Sequence, residues 1–162
     1  MNSYKKILNK LDFILSSISA ALFFIIFAVI IVEIFCRGVL GFSLLWTVEF
    51  CRILAGWTLL LGAAVVFHRN DHLVIDLVTN SLSLKSRRIL EIITTLITMV
   101  LMVVLLFNGL TSATSMMNMT FTTIGWKMGY LFYALPVFAV FSILFLIEKV
   151  INLIYEGDKV NE

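Results

Sequence analysis

Residues 13–35 read FILSSISAALFFIIFAVIIVEIF, and this run decides the fold. No charge interrupts it before Glu33, and a helix that crosses a bilayer needs about 20 apolar residues. Three more runs of the same kind follow, roughly Leu44 to Phe67, Ile89 to Leu110 and Tyr130 to Ile151. The chain has 162 residues, 61% hydrophobic and 14% charged, with one proline. Soluble domains are nearer half apolar and a quarter charged. The sequence therefore predicts an all-α integral membrane protein with four transmembrane helices, one membrane domain over residues 1–162. The first run is too long for the apolar core of a secretory signal and no Ala-x-Ala-like site follows it, so it reads as an uncleaved span.

Charge sets the expected topology. Lys5, Lys6 and Lys10 precede span one; Arg69, Lys85, Arg87 and Arg88 lie between spans two and three; Lys149 and Lys159 close the chain. The opposite side receives only Arg37, Arg52 and Lys127. The excess of basic residues marks the cytoplasmic side, so both termini and the middle loop are expected there. Residues 2–11 place Ile7, Leu8 and Leu11 on one helical side and are expected to lie on the inner surface before span one. The middle loop, residues 73–84, has Val74, Leu77, Val78 and Leu82 opposite Asp76, Thr79, Asn80 and Ser83. It is expected to form a short amphipathic interfacial helix.

Four ionisable residues cluster toward the outer ends of the first two spans. Glu33 and Arg37 stand at i and i+4, and Glu49 and Arg52 at i and i+3. Charges in a span are costly and usually pair facing the bundle interior. The expected arrangement is a neutral structural network of Glu33, Arg37, Glu49 and Arg52 holding spans one and two together. A partner contact and a transport site are the other readings. On the network reading, Arg52→Ala leaves Glu49 unpaired. Glu49, Arg52, Gly56 and Ala63 share a face whose small residues allow close helix approach. Leu54, Leu59, Leu60, Val65 and Val66 are left to face lipid or a partner.

The other polar features have ordinary explanations. His68 and His72 have metal-ligand spacing but lack the glutamate of a zinc-protease helix, and they fall at a membrane–water boundary. Met116, Met117 and Met119 offer soft thioethers but serve equally as flexible apolar surface. Cys36 and Cys51 form no disulfide framework. Trp46, Trp126 and Tyr130 read as interfacial anchors, and Pro136 as a kink early in span four. Phosphate-cradling glycines, nucleophile–base constellations and basic runs are absent from the sequence. No enzyme activity, metal, cofactor or nucleic-acid partner is expected.

Together these residues resemble the small membrane subunit of tripartite ATP-independent periplasmic (TRAP) transporters, the DctQ-like family. The resemblance rests on Trp46-x-x-Glu49-x-x-Arg52 with Trp57 following, and on Gly62-Ala63-Ala64 leading to Arg69-x-x-His72-x-x-x-Asp76. It rests also on Gly125 to Gly129 before Tyr133-x-x-Pro136, and on Arg37 after span one. Val48 stands where the family often carries a second acid. The resemblance implies a scaffold subunit in the bacterial inner membrane, in contact with lipid. Its partners would be a large elevator-type permease of about 12 spans and a periplasmic binding protein. The permease would carry the substrate and Na+ sites, and the cargo would be an organic acid such as sialic acid or a C4-dicarboxylate. Phe42, Ser43 and Lys127 are the candidate contacts to the binding protein. The alternatives are an autonomous small multidrug/proton antiporter and a structural subunit of another membrane complex.

Overall fold

The computed structural model describes residues 2–69 and 84–159. Helix α1 spans Asn2–Phe35 and passes into a π-helical turn, Cys36–Leu40. Helix α2 spans Trp46–Arg69, α3 Leu84–Met116, α4 Gly129–Phe132 and α5 Ala134–Lys159. Four stretches are long and apolar enough to cross a membrane: Tyr4–Leu40, Trp46–Arg69, Ile89–Met116 and Gly129–Ile151. The all-α, four-span reading of the sequence therefore holds. The interfacial helix expected over residues 73–84 lies outside the described residues, save Leu84.

The helices run longer than the apolar runs that announced them. Nothing in Asn2–Phe35 breaks a helix, since it contains neither glycine nor proline. At 1.5 Å per residue its 34 residues extend about 51 Å, well beyond a hydrocarbon layer of about 30 Å. The N-terminal segment expected to lie on the membrane surface is instead the first three turns of α1. Its Leu8 joins Leu15, Leu61, Val65 and Phe145 in one buried cluster. Likewise Lys85, Arg87 and Arg88, expected in a loop, belong to the first turns of α3. Hydropathy marks the part of a helix that meets lipid; the helix itself ends only where its backbone must turn.

Those turns have local causes. Gly41 ends the π-helical turn at φ +75°, a conformation that costs glycine little, and its N–H donates to the Cys36 carbonyl. Pro136 sits in the first turn of α5, where a missing N–H is tolerated. An uninterrupted helix would need residue 136 to donate to the carbonyl of Phe132, the last residue of α4. The break therefore falls at Tyr133, three residues before the proline that causes it.

The helices pack as an open row, not a closed bundle. Helix α1 lies along α2, α2 along α5, and α5 along α3. A second buried cluster, Ala64, Met102, Phe138 and Leu146, fills the junction of α2, α3 and α5, where the Phe67 and Phe138 rings lie 6.0 Å apart. Lipid tails are as apolar as leucine, so packing quality, not apolarity, holds such contacts. Close approach is correspondingly tight. A Cβ on Gly129 would come within 2.7 Å of the Ala113 carbonyl, and one on Gly56 would run into the Leu131 side chain. Val65, expected to face lipid or a partner, is 6% exposed, whereas Leu59 is 70% exposed.

The two outer helices keep broad apolar faces uncovered. On α1 these include Phe13, Phe23, Phe24, Phe27, Ile31 and Phe35, and on α3 Ile93, Ile97, Val100, Val104 and Phe107. Several polar side chains on α3 bond within the helix. The hydroxyls of Thr94, Thr98 and Thr111 donate to carbonyls one turn back, as does the Asn108 amide. Such bonds let polar side chains sit in an apolar setting without a partner chain.

Candidate functional site

The acidic residues that stood out in the sequence organise one end of the row, but not by closing on their arginines. Glu33 accepts from the Ser43 hydroxyl at 2.6 Å and from the Leu44 N–H at 2.9 Å. It thereby fixes the connection that enters α2. Thr47 adds a bond from its hydroxyl to the Leu44 carbonyl at 2.6 Å. Glu49 reaches across to the connection between α3 and α4. One of its oxygens accepts from the Thr122 N–H at 3.0 Å and the Thr122 hydroxyl at 2.7 Å. The other accepts from the N–H groups of Thr123 and Ile124, both at 2.9 Å. Three consecutive N–H groups thus converge on one carboxylate, a nest for an anion that the chain fills with its own side chain.

The expected four-residue ion network is corrected accordingly. No ion pair joins Glu33 to Arg37 or Glu49 to Arg52 among the described residues, and both arginines are exposed. The physical reason is that chain turns present unsatisfied backbone donors to the carboxylates. Long arginine stems can meanwhile carry their charge toward water. Arg52→Ala is therefore expected to leave the thermal stability of the isolated subunit within about 0.5 kcal/mol of the unaltered chain. Denaturation of both chains in the same detergent checks this.

The connection anchored by Glu49 is a compact hairpin. Thr120 and Lys127 pair as an antiparallel bridge. The Phe121 N–H donates to the Trp126 carbonyl at 2.8 Å, and the Met128 N–H to that of Met119 at 2.9 Å. Gly125 turns the tip at φ +73°. Aromatic rings extend the junction: Trp46 meets Phe50 edge-on at 5.7 Å, and Phe50 meets Trp126 at 6.2 Å. Trp57 donates from its indole N–H to the Tyr130 carbonyl at 3.0 Å. The Phe50–Trp126 contact thus ties α2 to this hairpin and the Trp57 bond ties it to α4, a role that the reading of Trp126 and Tyr130 as interfacial anchors did not capture. Met117 packs over Gly129. Phe42 and Lys127 are exposed at the same end, while the Ser43 hydroxyl is committed to Glu33.

A second polar cluster lies at the opposite end, and the sequence reading named only part of it. The Arg69 guanidinium grips Asp12 with Nε at 3.0 and 3.2 Å from the two carboxylate oxygens and a terminal nitrogen at 2.6 Å. This fork joins α2 to α1 in a geometry that lysine would not reproduce. His68 stands between two carboxylates, Nδ1 at 3.3 Å from Asp12 and Nε2 at 3.4 Å from Glu148. Lys149 lies 3.8 Å from Glu91, linking α5 to α3. Asp12 and Glu148 went unremarked in the sequence, although each is an acid within or beside an apolar run and is by default a candidate for a specific role. His72 and Asp76, the remainder of the Arg69 motif, lie outside the described residues. Cys36 and Cys51 are free thiols.

This arrangement is an assembly of anchored connections and uncovered helix faces; no group of three or more metal-ligating side chains is gathered among the described residues. Comparison with known proteins agrees with that character. Over 149 residues the chain is 28% identical to the sialic acid TRAP transporter small permease protein SiaQ of Vibrio cholerae, covering 92% of this chain and 84% of that one. It is also 31% identical over 83 residues to the sialic acid TRAP transporter permease protein SiaT of Haemophilus influenzae, a match spanning 51% of this chain but 13% of that larger protein. Residues 14–156 match the model of one family, and the chain belongs to it: the DctQ component of the tripartite ATP-independent periplasmic transporters.

Proposed function

We propose that the chain is the scaffold subunit of a sodium-coupled, binding-protein-dependent importer of organic acids, with sialic acid the first cargo to test. The observation that carries this reading is the open helix row. The most apolar stretch of α1 has none of its residues buried within the chain, and α1 packs along α2 alone among the major helix contacts. Exposed apolar area on this scale marks a surface for lipid or a partner. Small permease components work in the inner membrane paired with a large permease. A segment similar to this chain also occurs within the much larger SiaT chain, which supports packing of the row against permease helices.

In this reading the large permease moves its cargo against a rigid frame that the row widens. The hairpin at residues 117–128, which carries Lys127, contributes with Phe42 to the surface on which a substrate-loaded binding protein docks. The excess of basic residues places the termini and the Asp12–Arg69 end on the cytoplasmic side, and the Glu49 hairpin on the opposite one. Glu33 and Glu49 serve as structural anchors of that outer end. Family membership favours this class over an autonomous antiporter.

The test is reconstitution in proteoliposomes of the chain with its large permease and binding protein. Sialic acid uptake driven by an inward sodium gradient should require all three proteins, and omitting this chain should abolish it. Uptake at the full rate without this chain, or proton-coupled drug export by this chain alone, would overturn the reading. Accumulation of a C4-dicarboxylate in place of sialic acid would keep the scaffold and replace the cargo.

A further inference from the structure

One face of α2 is uncovered along the helix. Val48, Arg52, Ala55, Leu59 and Val66 are exposed, and Gly62 continues the line between the last two. Their spacing of four, three, four, three and four residues is the heptad spacing of a helix-packing seam. The buried residues Ile53, Leu61 and Ala64 lie on other sides of the helix. From Val48 to Val66 the seam extends about 27 Å at 1.5 Å per residue. That is close to the whole hydrocarbon layer of about 30 Å, whereas a lipid tail covers one leaflet. Small and large residues alternate over Ala55, Leu59, Gly62 and Val66, and small ones let a neighbouring helix approach closely. Beside Gly62 the seam opens on a groove of about 310 Å³ between α1 and α2, lined among others by Ser19, Ala20 and Thr58.

Arg52 distinguishes this face from one made for lipid. It lies about 9 Å beyond Trp46 along α2 and forms no ion pair among the described residues. In the isolated subunit its stem can carry the charge toward water, but a helix laid along the seam closes that route. A charge so enclosed ordinarily meets an opposite one. This chain has none to give. Residues 33–57 and 105–135, which make up this end of the row, contain no acid other than Glu33 and Glu49. Both of those carboxylates are held by chain turns. A second copy inserted in the same orientation fails for the same reason, because it sets Arg52 opposite Arg52 at one depth.

We propose, building on the scaffold reading, that the seam seats one transmembrane helix of the large permease, which lies nearly along α2 and presents a carboxylate to Arg52. Heptad spacing fixes a shallow crossing of about 20°, so the contact runs from one side of the membrane to the other. The acid opposite Arg52 sets the register, which an apolar seam alone leaves free to slide.

The test compares the full chain in lipid nanodiscs, alone and in complex with its large permease. A lipid-soluble carbene reagent, activated by light, marks side chains open to lipid. Leu59 and Val66 should be labelled in the chain alone and shielded in the complex. Binding of the tagged permease is then measured for variants at two exposed positions. Ala55→Phe fills the narrow part of the seam, and Arg52→Ala leaves the partner's carboxylate unpaired. Each should weaken association about tenfold or more, with unfolding of the isolated subunit unaltered. Arg52→Lys keeps the charge and should retain most of the association. Equal labelling of Leu59 and Val66 with and without the permease overturns the proposal, and that readout needs no substitution. Full association of Ala55→Phe or of Arg52→Ala does the same, as does a seam already shielded by a second copy in the chain alone. In those cases the complex itself still stands. An unaltered chain that forms no complex with the permease overturns the scaffold reading, and this contact with it.

Discussion

Replacing Glu49 with alanine should release the hairpin at residues 117–128. Four donors converge on that carboxylate, and three of them are consecutive backbone N–H groups. Alanine leaves all four to water and removes the tie between α2 and the hairpin tip. The expected result is amide exchange at Thr122, Thr123 and Ile124 faster by about tenfold or more, with exchange in the middle of α2 unchanged. Glu49→Gln should fall between, because an amide keeps one oxygen acceptor but adds a donor where only acceptors fit. On the proposed function, binding-protein-dependent uptake should fall with the loss of protection, since a loose hairpin presents no fixed docking surface. Unchanged protection in the alanine variant would show that the Trp57–Tyr130 bond and the ring contacts of Phe50 hold the hairpin without Glu49.

The second large effect is expected at Phe145. Its side chain is 3% exposed and packs among Leu8, Leu15, Leu61 and Val65. Phe145→Ala removes the whole ring from the place where α1, α2 and α5 meet, and the surrounding helices cannot all move in to fill the space. A loss of about 3 kcal/mol is expected, measured by denaturant unfolding of the full chain in detergent micelles. Phe107→Ala is the control. That ring is 67% exposed on α3, so removing it should change subunit stability by less than about 0.5 kcal/mol. Its loss should register instead as weaker association with the large permease. Equal destabilisation by the two substitutions would contradict the open-row packing.

These expectations separate two kinds of surface that the sequence alone does not distinguish. Phe107 and Phe145 are phenylalanines in apolar runs of similar character. The open order of the helices decides which is core and which is outer face, because α5 is flanked on two sides and α3 on one. The same order explains Val65. A helical wheel for α2 puts its small residues on the buried face, but α2 has neighbours on two sides and buries a second stripe as well.

Much was legible in the sequence. Four predominantly apolar runs of span length required four membrane helices, since backbone polar groups in lipid are satisfied only within a helix or a closed barrel. The unbroken composition of residues 2–35 already contained the long first helix. Pro136 marked the break before α5, because a missing N–H can be read without coordinates. The spacing of Trp46, Glu49 and Arg52, with Arg69 further on, identified the family. What only the tertiary structure decided is which groups those charges meet. Spacing along a helix brought Glu49 beside Arg52, yet its carboxylate is taken by N–H groups more than 70 residues away. Asp12 and Arg69, or His68 and Glu148, become neighbours only when α1, α2 and α5 lie side by side. A periodic pattern fixes which side chains share a helix face. Which face meets which depends on packing between distant segments, and no single helix records that in its own residues.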